Sequence, residues 1–142
     1  MRRFLVLAAL LTALLVTGNA QSTTGAPPCE LTAQLTMTTA TTTQIVALAA
    51  GQAVRVCGFV LQGSGSATAT TVKFVHGTGT ACATGIADLT PAWNMPASAV
   101  AMPNGVIAPS GVVLFKTAVG SALCATSSAA GTVRMLVIYA QY

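Results

Sequence analysis

Charge is scarce in this 142-residue chain, with six Lys and Arg, two Asp and Glu, and one His. The two carboxylates are Glu30, beside Cys29, and Asp88, in a small-residue stretch. Glycoside hydrolysis by paired carboxylates needs the two about 5–10 Å apart across a cleft, and these read as solvated surface groups. A Ser-His-Asp triad could draw only on His76 and Asp88, and no Gly-x-Ser-x-Gly elbow is present. His76 precedes Gly77 and suits a residue flanking a turn. One His and two distant carboxylates make a poor metal site. Gly63-Ser64-Gly65 and Gly77-Thr78-Gly79 lack the Lys-Ser/Thr pair and the following helix of a phosphate loop. No catalytic residue, cofactor or metal is therefore expected. The cations are too scattered to neutralise many phosphates, so no nucleic-acid partner is expected either. There is no Asn-x-Ser/Thr acceptor. Aromatics make up only 5% of the chain, and long runs rich in Glu, Lys, Gln and Arg are missing, which argues against a helical protein.

What is present begins with a leader. Arg2-Arg3 precede an apolar run, Phe4–Val16, and then the small and polar residues Thr17-Gly18-Asn19-Ala20. This is the order of a secretory signal peptide over residues 1–20. The run is shorter than the roughly 20 residues that span a bilayer, so no stable membrane span is expected once the leader is removed. Loss of Arg2 and Arg3 lowers the formal net charge from +4 to +2. Residues 21–28 form a flexible segment stiffened at its end by Pro27-Pro28, and residues 29–142 form one domain.

All four cysteines, Cys29, Cys57, Cys82 and Cys124, follow the leader. Export would place them where disulfides persist. Four cysteines allow three pairings. The preferred one is Cys29–Cys57, pinning the N-terminal segment to a strand, with Cys82–Cys124 holding a loop-rich excursion against a later strand. No Cys-x-x-Cys pair supports a zinc or redox site.

The mature region is rich in Ala, Val, Leu, Thr and Gly, a composition suited to short strands and tight turns. Leu31–Met37 alternates apolar and polar residues, as a half-buried strand does. Further strands are read at 44–49, 53–61 with a bend near Gly58, 69–76, 112–116, 123–126 and 133–139. Turns are read at 63–66, 77–80 and 118–121. Residues 83–110, with Pro91, Pro96, Pro103 and Pro109, read as short strand, long loop, short strand. The predicted fold is all-β, a two-sheet antiparallel sandwich of jelly-roll type with about seven to nine short strands. The predicted core is Val54, Val56, Val72, Phe74, Leu114, Leu123, Met135, Val137 and Tyr139.

Several stretches go beyond general pattern: Thr43–Leu48, Gly51–Cys57, Phe74–Gly85 (FVHGTGTACATG), Leu114–Cys124 (LFKTAVGSALC) and the closing Val137–Tyr142 (VIYAQY). Over roughly Cys29–Tyr142 the chain resembles small disulfide-containing β-sandwich proteins of phage and metagenomic origin, of virion structural or decoration type. The resemblance implies two structural bridges, no enzyme activity, no cofactor, and attachment to a capsid, tail or surface, often as an oligomer. The leader departs from it, because phage structural proteins assemble in the cytoplasm. It favours a secreted, extracellular, periplasmic or cell-surface relative.

The expected function is that of a non-catalytic structural or interaction protein, partnered by its own copies or by a larger assembly. Trp93, His76 and Tyr142 are the candidate contact residues. The alternative is a carbohydrate-binding module in which Trp93 stacks on a sugar beside Asn94, Asn104 or Gln62. The apolar final strand is expected to pair with a neighbouring subunit by strand addition, so that deleting Ala140–Tyr142 would weaken self-association.

Overall fold

Alternating β-branched and small residues form ten strands: β1 Leu31–Met37, β2 Thr42–Val46, β3 Val54–Ser64, β4 Thr70–Thr78, β5 Thr84–Asp88, β6 Trp93–Met95, β7 Met102–Ile107, β8 Phe115–Lys116, β9 Ala122–Ser127 and β10 Thr132–Gln141. The computed structural model describes residues 29–64, 68–97, 102–108 and 112–142. The leader at 1–20 and the segment at 21–28 lie outside the described residues.

Two five-stranded antiparallel sheets pack face to face. The first runs β1-β10-β3-β7, with β8 also on β3, and the second runs β2-β9-β4-β5, with β6 also on β4. First strand pairs with last, second with second-last, and so inward, which is the nested pairing of a rolled-up hairpin, the jelly roll. Ten strands stand where seven to nine were predicted. The difference lies at one edge of the sandwich, where the outer strand of each sheet is broken. Pro91 lies between β5 and β6, and proline cannot donate to a ladder. Counting each broken strand once gives the eight of a jelly roll.

β1 has the predicted bounds. The Gly63-Ser64 pair read as a turn is instead strand, because β3 continues to Ser64 and pairs there with β10 and β7. The strand read at 112–116 shrinks to Phe115–Lys116. The final strand is not a free pairing edge. β10 lies between β1 and β3 with both sides paired, so it cannot add to a neighbour's sheet. Its far end is tied down further, since Ala53 N donates to Tyr142 O at 3.0 Å and Tyr142 N donates to Ala53 O at 3.3 Å.

A β-bulge decides which residues of β3 face inward. Gly58 pairs with Ile138 and Val56 with Tyr139, leaving Cys57 as the extra residue. A bulge adds one residue and reverses the alternation beyond it. Val54 and Val56 point into the sandwich before it, and Phe59 and Leu61 after it, all four buried. The predicted core residues Val54, Val56, Val72, Phe74, Leu123, Met135 and Val137 are buried, while Leu114 and Tyr139 pack only partly against the core.

Phe59, Phe74, Trp93 and Phe115 form one cluster that joins the sheets. Phe59 lies 5.2 Å from Phe74 and 5.1 Å from Trp93, and Phe74 lies 5.3 Å from Phe115, centroid to centroid. Among the described residues every Phe and Trp belongs to it. A chain poor in aromatics thus spends them at one place, where each ring contributes both its burial and roughly 0.5–1.5 kcal/mol per well-placed pair.

A second small core of Val75, Cys82, Ala122 and Cys124 lies on the outer face of the second sheet. A single 3-10 turn, Thr80–Cys82, folds over that face. It requires close backbone approach. A Cβ on Gly77 would stand 2.8 Å from the Cys82 carbonyl oxygen and 2.9 Å from that of Thr84. Both are backbone atoms and cannot swing away. Gly77→Ala is therefore expected to lower unfolding free energy by about 1–3 kcal/mol, the usual effect of overpacking. Denaturant titration checks this, and an unchanged midpoint would show that the turn yields freely. Ala81 and Cys82 hold φ of 52° and 59°, left-handed values that favour glycine.

Candidate functional site

The structure pairs Cys29 with Cys57 and Cys82 with Cys124, the preferred arrangement, with Cα separations of 6.2 and 6.4 Å. Each bond has a specific placement. The bulge that expels Cys57 from the alternation turns it toward Cys29, immediately ahead of β1, so the first bond ties an edge strand across β10 to β3. The second holds the 3-10 turn against β9.

The three candidate contact residues do not form one site. Trp93 is half-buried, with Phe59 and Phe74 against its ring at 5.1 and 5.7 Å. A sugar would compete with both phenyl rings for it. Asn94 is exposed beside it and Gln62 is half-buried in the other sheet, while the Asn104 side chain lies outside the described residues. His76 is half-buried on β4, opposite Leu123 and Ala87, and its Nδ1 is buried without a hydrogen-bond partner. Tyr142 carries the Arg55 guanidinium over its ring at 4.0 Å. Such a contact is worth about 0.5–2 kcal/mol. Arg55 Nε and the Tyr142 hydroxyl are likewise buried without partners. The sequence held no signal for this pair, which forms only because β3 and the end of β10 are neighbours.

The carboxylates stand on separate elements. Glu30 is exposed just ahead of β1, and Asp88 ends β5, where Lys73 Nζ approaches its Oδ1 at 2.7 Å and donates to its Oδ2 at 2.9 Å. This exposed pair contributes roughly 0.2–1 kcal/mol. Among the described residues, no group of three or more His, Cys, Asp and Glu could hold a metal. No helix there is long and apolar enough to cross a membrane.

The remaining surface is unusual for its lack of charge. Leu31, Leu48, Ile86, Val106, Ile107, Val112 and Val119 are all exposed, Ile107 and Val119 at 68% and 69%. Among the described residues the cations and carboxylates outside the Lys73–Asp88 pair and the Arg55–Tyr142 contact are only Glu30, Lys116 and Arg134. On the outer face of the first sheet, Val60 and Leu136 line a shallow groove of about 230 Å³ with Gln34, Gln62 and Arg134. The unbroken apolar run Met135–Tyr139 was the one sequence signal for that face, since a strand with a fully solvated outer side alternates.

No protein-family model matches the chain, and neither a curated protein nor a solved structure matches it. The disulfide-bonded β-sandwich that the resemblance implied is present. Its association with virions finds no support in these comparisons.

Proposed function

We propose that this chain is an exported, non-catalytic structural protein, of surface or virion-decoration type, that works through protein–protein contacts. The observation that carries the reading is the surface, on which large aliphatic side chains are exposed and few charges stand free. An isolated soluble domain is ordinarily kept apart from its neighbours by interspersed charge. A surface with apolar residues exposed and few charges between them suits a protein whose exterior is covered in use. The two disulfides support export, because such bonds persist in oxidising compartments.

The test is the native state of the protein recovered from the cells or particles that produce it. Cross-linking before extraction, followed by native mass determination, is expected to give a stoichiometric assembly, of the chain alone or with a second protein. Recovery as a monomer without a stoichiometric companion would overturn the reading.

A further inference from the structure

A β-sandwich has four edge strands, and unpaired backbone along an edge invites another chain unless something blocks it. Three of the four edges here carry such a block. β7 contains Pro103. β5 is displaced by a register shift against β4 and contains Gly85 at φ +63°, with the charged Asp88 at its end. β2 has a register shift between Gln44 and Val46.

β1 has none of these. It runs seven residues, LTAQLTM, without a charge, proline or glycine. It pairs with β10 in unbroken register from Leu31↔Tyr139 to Met37↔Val133. Among the described residues no strand pairs with its other side. The Cys29–Cys57 bond ties down its leading end.

We infer that β1 is the contact between two copies of this chain, joined antiparallel about a two-fold axis at Gln34 so that the first sheet continues from one protomer into its partner. This rests on the protein–protein reading above and names the partner. The argument is self-complementarity. A two-fold contact sets each residue against its mirror position, and β1 has the same pattern in both directions. With Gln34 on the axis, Thr32 faces Thr36 of the other copy on the outer side, and both threonines are exposed. Thr–Thr pairs are favourable across strands. On the inner side Ala33 faces Leu35, small against large, and the half-exposed Leu31 faces Met37. A slip of one residue would set the outward threonines against inward apolar residues, Leu31 and Leu35 in one direction, Ala33 and Met37 in the other. One-residue slips are thereby disfavoured, the Gln34-centred register pairs the most residues of the strand, and strand addition supplies backbone hydrogen bonds along it.

Gln34 is exposed and outward, so its substitution leaves the core intact. The test uses the disulfide-bonded protein in low salt, with sedimentation equilibrium as the readout. The wild type is expected to be dimeric. Gln34→Lys and Gln34→Glu each place like charges on the axis, and each should weaken dimerisation by up to about fivefold. Mixing the two variants should restore a dimer holding one of each, an outcome that misfolding cannot imitate. In the wild type, amide exchange in β1 should slow as protein concentration rises, with no variant involved. A wild type that stays monomeric, or Gln34 variants that dimerise unchanged, would overturn the inference. A monomer that still assembles stoichiometrically with a different protein would defeat the β1 contact and leave the broader reading standing.

Discussion

Phe74→Ala is expected to lower the unfolding free energy by about 3–5 kcal/mol. Phe74 is fully buried on β4 and is in ring contact with Phe59, Trp93 and Phe115. Two of these partners, Phe59 and Phe115, belong to the opposite sheet. Removing the ring leaves a cavity where the sheets meet, and the surrounding strands are held in ladders and cannot close it. Elsewhere the core is Val, Leu, Met and Ala, whose side chains are too short to fill the gap. Chemical denaturation followed by the fluorescence of Trp93 measures the effect at its origin, since Trp93 is the only tryptophan and lies in the cluster. A loss below about 1 kcal/mol would mean that the cluster relaxes and is not the joint between sheets.

Removal of the Cys82–Cys124 bond by Cys82→Ala with Cys124→Ala is expected to be of similar size. The cross-link spans 42 residues, and the loop-closure account gives about 4 kcal/mol for a loop of this length. Both sulfurs are fully buried, so alanine is preferred to serine, which would bury hydroxyls without partners. The bond also holds a turn whose Ala81 and Cys82 have left-handed backbone, a conformation that local preferences oppose. Without the bond the turn is expected to lift from Val75 and Ala122, exposing the small outer core. Denaturation midpoints together with amide exchange across residues 78–84 report both effects. A variant unfolding within about 1 kcal/mol of the wild type, with the turn still protected, would show that packing and not the cross-link positions it.

These two sites differ in how far they could be read from the chain. Phe74 was legible as core because β4 alternates cleanly through Val72 and Phe74 while its other face carries Lys73. Phe59 was not, because the bend read near Gly58 is a bulge at Cys57, and glycine marks such a place without saying that one residue is extra and the facing beyond it reversed. Leu61 was lost for the same reason. The strand of residues 31–37 was correct to its ends, since its alternation is complete and one face, Ala33, Leu35 and Met37, is turned to the core. Position 112–116 misled because Val112 and Val113 look like strand, yet the ladder on β3 takes in only Phe115 and Lys116, with Leu114 N donating to Val56 O just ahead of it. The aliphatic final strand was read as a sticky edge, whereas the roll of the chain places it in the middle of a sheet. An apolar strand has the same composition whether a protomer or its own neighbours cover it.

Local chemistry alone determined the all-β class, the bounds of the strand Leu31–Met37 and the cysteine pairing that was preferred. These depend on backbone preference and side-chain identity, which belong to each residue separately. Only the tertiary structure decided which strands are edges, where the bulge reverses a face, that Arg55 meets Tyr142, and that among the described edges β1 alone runs in unbroken register without charge, proline or glycine. Those are properties of pairing between segments far apart in the chain, and pairing is set by how the whole sandwich closes on its core.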